Sequence, residues 1–404
     1  MKNRSVRRVI LCADGDSRDI DLWSNIPFLL SAELERRGTE LIVINLQVPW
    51  LIRRFWRYSL GARHKLRHWH TSVDFYRSRT NHWLTSWRLN RAVRRHGGPD
   101  TILINLSISG APTRCTIPVV LLSDWSYHYY VTERLGRQPD RAEKATIDRD
   151  NAAMARANLV ILLFPESAAR LQRQIPSGRF RFIGHVINDH PQAPPPPQQP
   201  PAATPHSPSR LLFVGRPRYS EGLELLLQAL AQLPADLQVE LDVIGINPHE
   251  FTTPSELQTV VRLHGYLSKA DSAQRTTYYT LLNQADLVIN ASSRWGGVSA
   301  TVEAMHRRTA VLTAPYAEFQ ALFGNSIPFG AYFGEVTHSA VAAAITAQLQ
   351  DPVRLAEQQQ AAHQDVNGFT WEVFVDRLFS EVDALPPKPG PTRCASPANS
   401  EAFH

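Results

Sequence analysis

The 404-residue sequence predicts an α/β protein of two doubly wound, Rossmann-like domains joined by a proline-rich linker. Three observations predict it. Short apolar runs rich in Val, Ile and Leu alternate with amphipathic stretches, the pattern of buried parallel strands and the helices that cover them. The segment DHPQAPPPPQQPPAATPHSPS, residues 189–209, can build neither helix nor sheet and is semi-rigid in polyproline form. Each side of that linker opens on a strand and has the length of an ordinary domain.

The first domain is expected over residues 1–188. Val6 to Ala13 reads as a buried strand, followed by the polar loop DGDSRDIDLWSN and an amphipathic helix from Ile26 to Arg37 that stops at Gly38. Leu41 to Leu46 is the next strand and completes a βαβ unit. Further strands are predicted at Thr101–Leu106, Val119–Ser123 and Leu159–Phe164, the last after a long polar helix over Asp140–Ala157.

Residues 49–98 differ in composition from the rest. Trp50, Phe55, Trp56, Tyr58, Trp69, Phe75, Tyr76, Trp83 and Trp87 lie among about a dozen Lys and Arg, with Asp74 the only acid. Such an insert suits an anionic membrane surface, where each basic residue gains about 1 kcal/mol and Trp prefers the headgroup zone. Nucleic acid would accept the same residue types but is the less favoured partner. A helical insert with its aromatics packed inward and its arginines solvated is the alternative. His64, His68 and His70 (HKLRHWH) lack a carboxylate or Cys companion, so no metal site is expected there.

The second domain, 210–368, repeats the alternation. A strand at Leu211–Val214 leads to a loop and a helix from Gly222. Strands at Val239–Gly245 and Val260–His264 and a helix around Thr276–Gln284 come next. The stretch DLVINASSRWGGVSATVEAMHRRTAVLTA then organises the half: a buried strand (Leu287–Asn290), a Gly-containing loop, a helix opening near Ser299, and a strand from Ala310. In open α/β folds ligands bind at the carboxyl edge of the sheet, where this loop must lie. Gly296 and Gly297 allow close backbone approach, and the helix start offers free N–H groups to an anion. Glu303 sits one turn inside, with its side chain leaning back toward that loop. It can reach paired sugar hydroxyls such as a ribose diol, or simply favour the positive end of the helix. A helix over 369–385 follows, and residues 386–404 read as a disordered tail.

Bulk properties narrow the setting. The net charge of +6 suits an anionic partner. Three widely spaced cysteines (Cys12, Cys115, Cys394) argue against a disulfide framework or zinc site and fit a reducing cytoplasm. The opening MKNRSVRRVILCADGD reads as a first strand, and no run is long enough to span a membrane. A cytoplasmic protein is expected, resting at most peripherally on the inner membrane.

With these pieces in order, the second half resembles family-4 retaining glycosyltransferases of the GT-B fold, in a bacterial subset. The matching elements are Gly215-Arg216 after the strand, Glu221-Gly222-Leu223 before a helix, and HGYL (His264 to Leu267). ADLVINASS (Ala285 to Ser293), EAM (Glu303 to Met305) and NGFTWE (Asn367 to Glu372) complete the set. In the first half LWSNIPFLLSAELERRG and SDWSYHYY carry a looser likeness. The resemblance implies transfer of a sugar from a UDP- or GDP-linked donor to a saccharide or lipid-linked acceptor, with retention, without a metal or other cofactor. It also implies a last helix that crosses back over the first domain.

Positive charge for the leaving diphosphate would come from Arg216, Arg218 and the helix-start amides. Tyr266 and nearby backbone would hold the base, Ser299 would belong to the anion-binding helix start, and Glu303 would bind the ribose. Trp295 stands where the family has a glutamate near the donor sugar, and could stack on sugar or base. Glu221 replaces the family's phosphate-binding lysine. At about 4 Å from a phosphate it would repel by roughly 4 kcal/mol at an effective dielectric near 20. It must therefore turn away, pair with Arg218, or mark a weakened site. For the first-domain catalytic group the candidates are Asp124, which could support positive charge on the sugar or merely cap a helix, and His128. His185 and Asn188 are expected to line the cleft. A catalytically silent protein that binds a nucleotide, glycan or partner enzyme is the competing reading.

Overall fold

The computed structural model describes residues 6–67, 74–113, 115–200, 208–292 and 297–386. Two six-stranded sheets, with parallel strand pairs throughout the described residues, form the two halves. The first contains β1 (Arg8–Ala13), β2 (Glu40–Asn45), β3 (Thr101–Asn105), β4 (Val119–Ser123), β5 (Leu159–Leu162) and β6 (Phe180–Phe182). Its order is β2-β1-β3-β4-β5-β6. The second contains β7 (Ser209–Val214), β8 (Val239–Ile244), β9 (Val261–Leu263), β10 (Leu287–Asn290), β11 (Ala310–Thr313) and β12 (Gly330–Tyr332), in the order β12-β11-β10-β7-β8-β9. Strands β3, β4, β5 and β11 are buried at every residue, because helices cover both faces of each sheet. That two-sided burial is why they read as unbroken apolar runs.

Around the first sheet lie α1 (Ile26–Arg36), α2 (Trp50–Tyr58), α3 (Leu60–Arg67), α4 (Arg79–His96), α5 (Tyr127–Tyr129), α6 (Arg141–Arg156) and α7 (Pro165–Gln174). The second half adds α8 (Ser220–Leu230), α9 (Ser272–Gln284), α10 (Val298–His306), α11 (Ala317–Phe323), α12 (His338–Leu349) and α13 (Pro352–Val366). The last helix, α14 (Trp371–Asp383), returns to the first half. It buries Trp371, Phe374, Val375, Leu378 and Val382 in an apolar cluster that also holds Leu30 and Leu34 of α1. Arg37 bonds Asp376 at 2.5 Å and the Glu372 carbonyl at 2.7 Å, and Arg179 pairs with Glu381 at 3.0 Å. These contacts fix how the two sheets face each other.

Two expectations need adjusting. The basic, aromatic segment is not a separable insert: Leu89, Ala92 and Val93 of α4 pack in the core of the first half, and Phe75 is buried against Trp56. Among the described residues, α2 has none that is fully buried. The linker is also less detached than its composition suggests. Asp189 pairs with the buried Arg307, whose guanidinium also donates to the Pro194 carbonyl, and Arg308 donates to the Pro197 carbonyl at 2.6 Å. Extended proline backbone leaves its carbonyls unbonded, so two arginines at the end of α10 capture them. The predicted tail lies outside the described residues except for Pro386, as do His68 and His70. Among the described residues no helix is long and apolar enough to cross a membrane.

Candidate active site

In both sheets strand order reverses at one point, and the loops leaving the carboxyl ends there part to form a crevice. In the second half the crevice lies between β7 and β10. The loop after β7 comes close to that after β8, and Gly245 makes this possible. It has φ +98°, and a Cβ there would sit 2.5 Å from the Gly215 carbonyl oxygen. Arg216 and Arg218 follow, both exposed. The Arg216 guanidinium lies over the Tyr266 ring at 5.2 Å, and that of Arg218 over Tyr219 at 5.1 Å. Opposite them α10 begins, so the backbone at Gly297, Val298 and Ser299 presents the positive end of a helix to the same space.

Deeper in, Glu303 is buried and committed. Its Oε2 accepts hydrogen bonds from Lys269 Nζ and from the Tyr278 hydroxyl, each at 2.7 Å. Lys269 also donates to the Asn188 carbonyl at 2.7 Å and lies 4.8 Å from the centre of the Tyr278 ring. Burial pushes the Glu303 carboxyl above the usual range, and the Lys269 charge pulls it back. Lys269 thus links α10, α9 and the hinge before Asp189.

The first half supplies the facing wall. Trp23, Ser24 and Asn25 are three successive residues with positive φ (38°, 53° and 69°), a strained turn that puts all three on the cavity. Asp124, just beyond β4, accepts from the Trp125 backbone N–H at 2.9 Å, and burial raises its carboxyl. Trp125 stacks on Phe164, with centroids 6.1 Å apart. Together these groups enclose a cavity of about 460 Å³ between the two halves. The carboxylates among its described lining are Asp124 and Glu303. A second cavity of about 320 Å³ adjoins it at the switch point of the first sheet, sharing Trp23, Asp124 and Trp125. That chamber is lined further by Asp14, Tyr76, Arg77, Tyr127, Tyr130 and Asp150, whose carboxyl burial pushes up to about 7.

Of the residues singled out from sequence, Gly215, Arg216, Arg218, Tyr266, Gly297, Ser299, Glu303 and Asp124 converge on the one cavity. Trp295 and Gly296 lie outside the described residues. His128 is not brought there. Its ring meets Gln174 at 3.1 Å in a separate small cavity behind α5, because the chain turns into α5 straight after Asp124. His185 and Asn188 do not line the cleft either: both are buried behind it, His185 stacked on Phe164 with burial pushing its ring down to about 4. Glu221 is exposed on α8 and absent from the cavity wall, so it turns away from any phosphate. Lys269, Tyr278 and Trp23 are the site residues that sequence reasoning missed.

Among the described residues no group of three His, Cys, Asp or Glu could hold a metal ion. Tyr266 reaches across the cleft, donating to Asp21 of the first half at 3.0 Å, and Ser268 donates to the same carboxylate at 2.7 Å. Burial and that hydrogen bond push the Tyr266 hydroxyl up to about 12.

Residues 208–351 match the family model of glycosyl transferases group 1, so the second half carries a glycosyltransferase domain. A search of curated proteins finds no match. Solved structures share the GT-B fold at low identity. One is WaaG, described as a glycosyltransferase involved in lipopolysaccharide biosynthesis: TM-score 0.61, 13% identity, 93% of this chain and 99% of that one. Another is Anabaena HepE in complex with UDP and glucose: TM-score 0.59, 14% identity, 93% and 99%. The third is S. aureus TarM, in complex with UDP and saccharide ligands: TM-score 0.56, 15% identity, 75% of this chain. The chain spans 59% of the length of that TarM structure.

Proposed function

We propose that this chain transfers a hexose from a UDP- or GDP-linked donor to a saccharide or lipid-linked acceptor, with retention and without a bound metal. The observation that carries the reading is the pairing across one cavity of Arg216, Arg218 and the start of α10 with Asp124 from the opposite half. A departing diphosphate needs fixed positive charge, and two guanidiniums plus helix-start amides provide it without a cation. Lys269 and Glu303 would hold the ribose, and Tyr266 the base. The sugar carbon would then lie toward Asp124. As the bond to the diphosphate oxygen lengthens, positive charge grows on the sugar ring, and the Asp124 carboxylate would stabilise it.

The acceptor hydroxyl would enter from the adjoining 320 Å³ chamber, whose Tyr76, Tyr127 and Tyr130 suit stacking on a sugar and whose Asp14 and Asp150 suit its hydroxyls. Its oxygen forms the new bond to the sugar carbon, and its proton passes to the departing phosphate oxygen. Work at the cytoplasmic face of a membrane, with α2 to α4 on anionic lipid, belongs to the same reading.

The competing reading is a catalytically silent binder of a nucleotide, glycan or partner enzyme. It is favoured by Glu303, which already shares an oxygen between Lys269 and Tyr278, and by Glu221 in place of a phosphate-binding lysine. Incubation with radiolabelled UDP- and GDP-sugars distinguishes the two. Sugar transfer or slow hydrolysis of one donor supports the enzyme, whereas nucleotide binding with neither, by folded protein, supports the silent form.

A further inference from the structure

Next to the 320 Å³ chamber, whose Arg77 and Asp150 adjoin its own Ser78 and Arg149, a separate cleft of about 440 Å³ opens between the start of α4 and the first turns of α6. Arg79, Arg141 and Arg149 line it, and among the described residues none of the three has an ion-pair partner. Arg149 is held in place by backbone carbonyls and a hydroxyl: Ala145 O at 2.7 Å, Arg77 O at 3.0 Å and Thr146 Oγ1 at 2.9 Å. Burial lowers the affinity of its guanidinium for the proton, and the charge of Arg79 adds to that. Asp150 and Asp148 offset part of that charge without forming an ion pair with Arg149 among the described residues, and an anion bound between the three guanidiniums would neutralise more of it.

Two of the acids at the start of α6 are already turned elsewhere. Asp140 caps α6 by accepting from Ala142 and Glu143 N–H, and Glu143 pairs with Arg137 at 2.7 Å. The cap of α4 is the neutral Ser78, which leaves the positive end of that helix unopposed at the cleft.

Part of the remaining wall is apolar and leads onto an exposed apolar surface. Trp56 and Leu60 close one side. Trp56, half-buried, belongs to α2, which has no fully buried residue and exposes Leu51, Phe55 and Tyr58 by 62%, 73% and 69%. An anion site beside a helix with exposed apolar residues fits a ligand with both characters.

We propose that this cleft binds the phosphate of an anionic membrane lipid, with Arg79, Arg141 and Arg149 around the phosphate and Trp56 and Leu60 against its glycerol and upper acyl segment. The proposal rests on the membrane-surface reading of α2 to α4 and sharpens it from a diffuse basic face to one headgroup site. Glycosyl transfer does not enter it.

Full-length protein is sedimented with vesicles of phosphatidylcholine alone or with 30% phosphatidylglycerol added (roughly a bacterial anionic fraction). The double variant R79Q/R141Q is compared with R94Q/R95Q, which removes the same charge from the exposed far end of α4, about 24 Å along the helix. All four arginines are exposed, and far-ultraviolet circular dichroism checks that the fold is intact. The site predicts at least tenfold weaker binding to anionic vesicles for R79Q/R141Q and no more than about threefold for R94Q/R95Q. Equal losses in the two variants overturn the site while leaving a diffuse membrane face standing. No binding to either vesicle overturns both. Protection of the wild-type protein by millimolar glycerol phosphate, with no gain from vesicles, overturns the lipid source in favour of a soluble phosphate.

Discussion

Replacing Lys269 by methionine isolates what holds the floor of the cleft. Methionine has nearly the same length and volume, so packing changes little, but the cation is lost. The Lys269 and Glu303 side chains are 7% and 6% exposed and their charged atoms are 2.7 Å apart. Without Lys269, Glu303 would face only the Tyr278 hydroxyl, with Asp189 repelling it. Removing one partner of a buried pair costs about 3–5 kcal/mol. For a domain of this size that corresponds to a fall in Tm on the order of 10 °C.

The pH dependence has a definite sign. Burial already raises the Glu303 carboxyl in the folded protein, and losing Lys269 raises it further. The folded state then binds more protons than the unfolded state, so the stability of Lys269→Met is greatest below the ordinary carboxylate range and falls as pH rises. Thermal unfolding at pH 5 and pH 8 reads this directly, and the deficit against wild type should be larger at pH 8. Adding Glu303→Gln should recover most of the loss, because no buried charge is then left alone. A loss under about 1 kcal/mol, or one that is the same at both pH values and in the Glu303→Gln background, would refute the reasoning.

Three other outcomes follow from the same geometry. Asp124→Asn should lower the rate of sugar transfer by about 100-fold or more, with nucleotide affinity unchanged, since in the proposed arrangement the carboxylate would face the sugar and not the diphosphate; parallel rate and binding assays would show the split. Glu318 joins the two halves through Ser167 Oγ at 2.7 Å, and burial pushes its carboxyl up to about 7. Its contribution to stability is complete below about 4.5 and fades as pH rises through about 7, so the Tm of wild type should fall relative to Glu318→Gln between pH 5 and pH 9. Gly245→Ala puts a methyl 2.5 Å from the Gly215 carbonyl at a φ of +98°, and should cost on the order of 1–3 kcal/mol while weakening nucleotide binding by displacing the Arg216 loop. Chemical denaturation and calorimetry would measure the two effects.

Most strands were legible because two-sided burial writes itself as a continuous apolar run: Leu287–Asn290 and Val119–Ser123 are found where the sequence puts them. The three-residue edge strands β6 and β12 were not, although β9, of the same length and also at an edge, was. The helix start, expected near Ser299 and found at Val298, and the placing of Glu303 inside that helix follow from local pattern alone. What Glu303 touches does not. Lys269 is a single lysine in a polar loop, and Tyr278 belongs to a helix with little amphipathic signal, so nothing nearby marks either as a partner for a residue 34 or 25 positions away. The Trp23–Asn25 turn was visible as a likeness to a family loop, but its three left-handed residues are a tertiary requirement that composition does not announce. His128 misled because nearness in sequence to Asp124 is broken at once by α5.

The most direct test is a calorimetric titration of UDP and GDP into wild-type protein and Arg216→Ala, with uridine and guanosine as phosphate-free controls. One diphosphate should bind wild type, and Arg216→Ala should weaken it by about 10- to 100-fold, the worth of one charged hydrogen bond, while leaving the nucleoside signal unchanged. If neither diphosphate binds, or Arg216→Ala binds as tightly as wild type, the cleft is not a diphosphate site.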